Sequence, residues 1–113
     1  MAVLPLRQLR DANGALIPWA TPAGGYVDAR VLAANTAEVH TVPEGATRVL
    51  VTVTGNAFIK IGGAAAVASA DVTNGSGSIL MVNAQPRLFA LNGATTIGVI
   101  ASATQTVVLE FYS

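Results

Sequence analysis

The sequence predicts an all-β fold: a single, jelly-roll-like β-sandwich of about eight antiparallel strands, preceded by an extended N-terminal arm. Three observations predict it. From residue 29 onward, short runs rich in Val, Ile, Thr and Phe end repeatedly at Gly, Asn or Pro, the punctuation of strands and turns. Within several of these runs the apolar residues recur at every second position, which places them on one face of an extended chain. Residues 1–28 keep neither that period nor a helical one. Each half-buried sheet needs another sheet against its apolar face, so strands at nearly even spacing imply two packed sheets. No repeat of fixed period runs through the chain, which disfavours a propeller or a solenoid.

In chain order, the arm over 1–28 contains Pro5, Pro18 and Pro22, which fix φ and lack amide donors, together with Gly14, Gly24, Gly25 and the turn signal Asn13-Gly14. The same arm carries Leu4, Leu6, Leu9, Leu16, Ile17, the single tryptophan Trp19, and Tyr26. That is more apolar surface than a solvated tail tolerates, so these seven residues are the candidate contacts with other copies or other proteins. The domain proper is expected over 29–113.

A strand over 36–42 leads through Val42-Pro43-Glu44-Gly45-Ala46, with Pro at the second position of a tight turn, into a strand over 47–54. There Val49, Val51 and Val53 share one face, the expected core face. Gly55-Asn56 reads as a two-residue hairpin link to a return strand over 58–61. Residues 62–70, with paired glycines before an alanine-rich stretch, read as a loop with a short strand or turn, and Asn74-Gly75-Ser76-Gly77 as a flexible turn. Strands over 78–82 and 87–91 read as a second hairpin around Asn83-Ala84-Gln85-Pro86. The last two strands, 95–101 and 105–112, put Ile97, Val99 and Ala101 on one face and Val107, Leu109 and Phe111 on another, with 102–104 as their link.

Composition narrows the function classes. Charged residues make up 11% of the chain and its formal net charge is +0, so little electrostatic repulsion keeps copies apart. An obligate assembly is expected. Six basic and six acidic residues scattered along the chain leave no phosphate-neutralising patch, and no nucleic-acid role is expected. The chain lacks cysteine, which excludes disulfides and thiol chemistry. The first residues hold too short an apolar run, broken by Pro5, for a signal peptide or membrane span.

Candidate chemistry is sparse. The one histidine, His40, shares a strand face with Glu38, but a working triad also needs a nucleophile and an oxyanion site, so a polar sheet face or a subunit contact is the expected use. The six acids, Asp11, Asp28, Glu38, Glu44, Asp71 and Glu110, are too separated for a local metal loop. Lys60 and Glu110 are expected to face outward in ion pairs across strands or subunits. Gly62-Gly63 and Gly75-Ser76-Gly77 lack the following helix and lysine of a phosphate loop and read as turns. No catalytic residue, cofactor or metal is expected. A glycan-binding module needs exposed aromatics, of which the chain has few candidates.

The segments VHTVPEGATRVLV at 39–51, FIKIGG at 58–63, DVTNGSGS at 71–78 and VVLEFY at 107–112 resemble those of small virion proteins of tailed bacteriophages, over residues 29–113. The resemblance implies a β-sandwich that assembles on the particle without catalysing a reaction. In such a role it would be a capsid decoration or cement protein, and the alternatives are a tail, neck or head-fibre component or a receptor- or glycan-binding module. Its partners would be the major capsid protein or other virion proteins and further copies of itself, a trimer ahead of a dimer, with assembly in the host cytoplasm. Neither nucleic acid nor membrane is an expected partner.

Overall fold

The structure, a computed structural model, describes residues 3, 9–10, 16–17, 25–67 and 71–113. It is all-β. A two-residue ladder pairs β1 (Leu9–Arg10) with β2 (Leu16–Ile17). Eight strands follow: β3 (Tyr26–Leu32), β4 (Glu38–Thr41), β5 (Arg48–Val53), β6 (Ala57–Ile61), β7 (Ile79–Met81), β8 (Arg87–Ala90), β9 (Thr96–Ile100) and β10 (Gln105–Tyr112). They form two antiparallel four-stranded sheets, one in the order β3-β10-β5-β8 and the other β4-β9-β6-β7. Strand β3 opens at Tyr26, inside the span read from sequence as arm.

Pairing is symmetrical along the chain. The first of the eight strands pairs with the last, the second with the seventh, the third with the sixth and the fourth with the fifth. The domain is therefore one long hairpin, with its tip between β6 and β7, wound so that successive strand pairs fall in alternate sheets. Pairings β5·β10 and β6·β9 then close each sheet into four strands.

This winding corrects both sequence-based hairpins. Strands β5 and β6, joined through Gly55-Asn56, belong to different sheets, and so do β7 and β8 around residues 83–86. The links at 42–47 and 102–104 likewise carry the chain from one sheet to the other. Among the eight strands of the sandwich, β6 and β7 alone are consecutive in sequence and paired, and their connection is the longest among those strands. Turn chemistry fixes the local bend, whereas the sheet a strand joins depends on where its apolar face is buried. Leu91-Asn92-Gly93-Ala94 illustrates the point: both central residues have positive φ, 50° and 82°, and the Ala94 amide donates to Leu91 O at 2.9 Å, yet this hairpin-type turn links β8 to β9 across sheets.

The predicted core faces are the observed ones. Val49, Val51 and Val53 on β5, Ile97 and Val99 on β9 with Ala101 beyond it, and Val107, Leu109 and Phe111 on β10 are all buried in one cluster with Leu32, Ala57, Ile59, Met81 and Leu91. Residues of both sheets meet in it, which makes the pair of sheets a sandwich. Tyr26 closes one end, its ring edge-on to Phe111 with centroids 5.8 Å apart. Val3 packs against the same core.

The turn before β5 is displaced by one residue from its expected position. Ala46 N donates to Pro43 O at 3.2 Å, so Pro43 is the first residue of the turn, and Gly45, at φ 85°, supplies the left-handed conformation it requires. No strand occurs over 62–67, and residues 68–70 lie outside the described residues. At 74–76, Asn74 Oδ1 accepts from both the amide and the hydroxyl of Ser76, at 3.1 and 2.6 Å, which makes the expected turn an Asx-turn.

Candidate functional site

Two features stand out from the regular core: a charged rim on one side of the sandwich and aliphatic side chains on its outer surfaces. The rim arises because β3 and β4 are edge strands of opposite sheets. Register places Asp28 opposite Leu109 and Arg30 opposite Val107, hence on the core side of β3. In the same way Glu38 lies opposite Val99 and His40 opposite Ile97, on the core side of β4. Positions that hold Val, Leu or Ile on the central strands thus hold charged or titratable groups at this edge.

His40 is 4% exposed. Its Nε2 lies 3.8 Å from Glu38 Oε1, beyond hydrogen-bond length, and has no hydrogen-bond partner among the described residues. Burial, then the Arg30 guanidinium, pushes the imidazole pKa below its ordinary value of 6.5, against smaller upward pulls from Glu38 and Asp28. Both effects favour the neutral ring. The sequence anticipated a face shared with Glu38; it did not anticipate that this face would be the buried one. Among the described residues, no group of three or more His, Cys, Asp or Glu is placed to hold a metal ion.

The other expected charge sites resolve differently. Lys60 and Glu110 do face outward, but they stand on different sheets and do not pair with each other. Lys60 Nζ donates to Ser76 O at 3.0 Å, tying β6 to the Asx-turn. Glu110 Oε2 accepts from the Tyr112 hydroxyl at 3.0 Å, and burial, then this acceptor, pushes the phenol up to about 12.

The outer surfaces are more apolar than their strand positions suggested. On the first sheet a row runs Val27, Glu110, Leu50, Leu88 across four strands. On the second, Ile100, Phe58 and Leu80 are aligned. Val31 is 72% exposed, Val39 53%, Leu88 49% and Leu80 47%. Loop 62–67 covers part of the second sheet, over Gly98: a Cβ there would collide with Gly63 O and come within 2.8 Å of Ala64 Cα.

Of the candidate contact residues, Leu4, Leu6 and Trp19 lie outside the described residues, as does the Asn13-Gly14 turn. Leu9, Leu16 and Ile17 enter through the backbone of the β1–β2 ladder. Tyr26 is half-buried against Phe111, within the sandwich. Sequence reasoning concentrated on the arm and passed over Val31, Val39, Leu80 and Leu88. Their signal was parity: each alternates with a residue of the core face, which leaves it on the outside.

Among the described residues an open cleft of about 380 Å³ is lined by Asp71, Val72, Thr73, Asn74 and Ser76, and another of about 210 Å³ lies between the turns at 42–46 and 93–95. No aromatic side chain is exposed among the described residues. No helix of the described residues is long and apolar enough to cross a membrane. Fold and site together define an all-β sandwich with a charged rim and aliphatic outer faces. No family model, curated protein or solved structure matches the chain.

Proposed function

We propose that this chain is a non-enzymatic structural protein of a tailed-bacteriophage virion, a decoration or cement protein that lies on the head surface and stabilises it by bridging neighbouring copies of the major capsid protein. The wound pairing of its eight strands is read here as a jelly roll. The observation that carries the proposal is the outer surface: Val31, Val39, Leu80 and Leu88 are each about half exposed or more, on a chain with 11% charged residues. Aliphatic groups so placed gain roughly 25 cal/mol per Å² when another protein covers them. Repetition over a lattice strengthens weak contacts, because subunits bound at several points dissociate only when all release together. The likeness of 39–51, 58–63, 71–78 and 107–112 to small virion proteins supports the same reading.

The test is the amount and place of the chain in purified particles. Quantitative mass spectrometry is expected to find it in fixed stoichiometry to the shell subunit, and Leu80→Glu is expected to lower its occupancy without unfolding it. Absence from the particle, or a copy number that follows the tail or neck in place of the shell, overturns the head assignment.

A further inference from the structure

We infer that β3 is a self-pairing edge, through which two copies of this chain join their first sheets into one continuous eight-stranded sheet about a two-fold axis at Ala29. Among the described residues β3 pairs with β10 alone, so within them one side of its backbone has no ladder partner. The strand is seven residues long, contains no proline, and has its midpoint at Ala29.

Symmetry restricts how such a strand meets its copy. Antiparallel pairs alternate between hydrogen-bonded and non-hydrogen-bonded types, and facing residues point to the same side of the sheet. A two-fold axis normal to the sheet must therefore pass between a residue and its own copy. Centring on Asp28 or Arg30 sets like charges directly opposite one another. Centring on Ala29 uses all seven residues and sets Asp28 of each copy opposite Arg30 of the other, twice. On the outer side, the same register places Val31, 72% exposed, against Val27 of the second copy.

Charged side chains on an edge strand ordinarily prevent sheet extension. Here they have opposite sign and stand symmetrically about the midpoint, so in this one register they attract. Among the described residues neither Asp28 nor Arg30 forms an ion pair within one chain. The expectation put a trimer ahead of a dimer, with no residue that fixes the number, whereas this contact is two-fold. It stands apart from the virion reading, because it is measured on the isolated protein.

Sedimentation velocity of the full chain across micromolar concentrations tests it. The parent is expected to dimerise. Asp28→Arg and Arg30→Asp each set like charges opposite in both pairs, and each is expected to raise the dissociation constant about tenfold or more. An equimolar mixture of these two variants restores opposite charges at both positions, so the mixture is expected to regain the dimer, with one copy of each mass by native mass spectrometry. Val31→Lys changes an exposed position and is expected to weaken the dimer while leaving the circular-dichroism spectrum unchanged. A parent that stays monomeric overturns the inference, and so do folded charge-reversal variants that associate as the parent does or fail to recombine when mixed.

Discussion

Gly98 sits in mid-strand on β9, where glycine normally weakens a sheet by leaving the backbone freer and one face unfilled. Its use is to admit backbone: an added Cβ would meet Gly63 O, and would lie 2.6 Å from Ala65 N. The three nearest atoms are all main chain and cannot swing aside. Gly98→Ala is therefore expected to cost about 1–3 kcal/mol by overpacking and to lift loop 62–67 off the sheet. Urea denaturation reads the first effect. Faster hydrogen exchange at the Ala66 amide, which donates to Ser78 Oγ at 3.1 Å, reads the second. His40 yields a residue-scale prediction of a different kind. Because the fold lowers its pKa, through burial and Arg30 against Glu38 and Asp28, the unfolded chain takes up the proton more readily. Its contribution is complete above about pH 6.5 and is lost as pH falls through the lowered folded value. His40→Leu is expected to flatten the stability profile over that acidic window, and an unchanged acid slope in the variant would remove His40 as its source. None of this was legible in sequence beyond the shared strand face of Glu38 and His40, because burial at an edge depends on the opposite sheet.

At the scale of elements, β10 organises the first sheet: it lies between β3 and β5 and contributes Val107, Leu109 and Phe111 to the core. Its first residue also holds a turn fifty residues away. Gln105 Oε1 accepts from Gly55 N at 3.2 Å and its Nε2 donates to Asn56 O at 2.6 Å. The Gly55-Asn56 bend, legible as a turn, therefore depends on a side chain with no marker in the sequence. It departs from a hairpin because the strands it joins leave for different sheets, so the ladder that would have satisfied these groups is absent, and Gln105 substitutes for it. Gln105→Ala is expected to cost about 1–3 kcal/mol by leaving the Gly55 amide and Asn56 carbonyl without protein partners. Equilibrium denaturation with exchange rates at Gly55 measures it. Similarly, the strand over 87–91 was legible from its composition, while its pairing with β5 was not. Strand periodicity reports which residues share a face and nothing about which strand lies alongside.

For the whole molecule, the sandwich separates two kinds of aliphatic residue. Leu109 is fully buried, and Leu109→Ala is expected to destabilise the fold by about 2–5 kcal/mol through lost transfer energy and a residual cavity. Leu88, 49% exposed, is expected to change folding stability by no more than about 0.5 kcal/mol on replacement by Ala, and yet to lower particle occupancy under the proposed function. Thermal or chemical denaturation of the two variants, beside an occupancy measurement, separates folding from assembly; equal destabilisation by both would remove the distinction. The sequence alone determined that the fold is all-β, where most strands lie, and which faces of β5, β9 and β10 form the core, because alternation of side chains along an extended backbone is a local property. It also determined the scarcity of charge. Only the tertiary structure decided that successive strands of the sandwich, β6 and β7 apart, cross between sheets, that Asp28, Arg30, Glu38 and His40 meet at one rim, and that Val31, Val39, Leu80 and Leu88 remain outside. Those outcomes depend on pairing strands distant in sequence, which is selected by burying all the apolar faces at once and is encoded in no single segment.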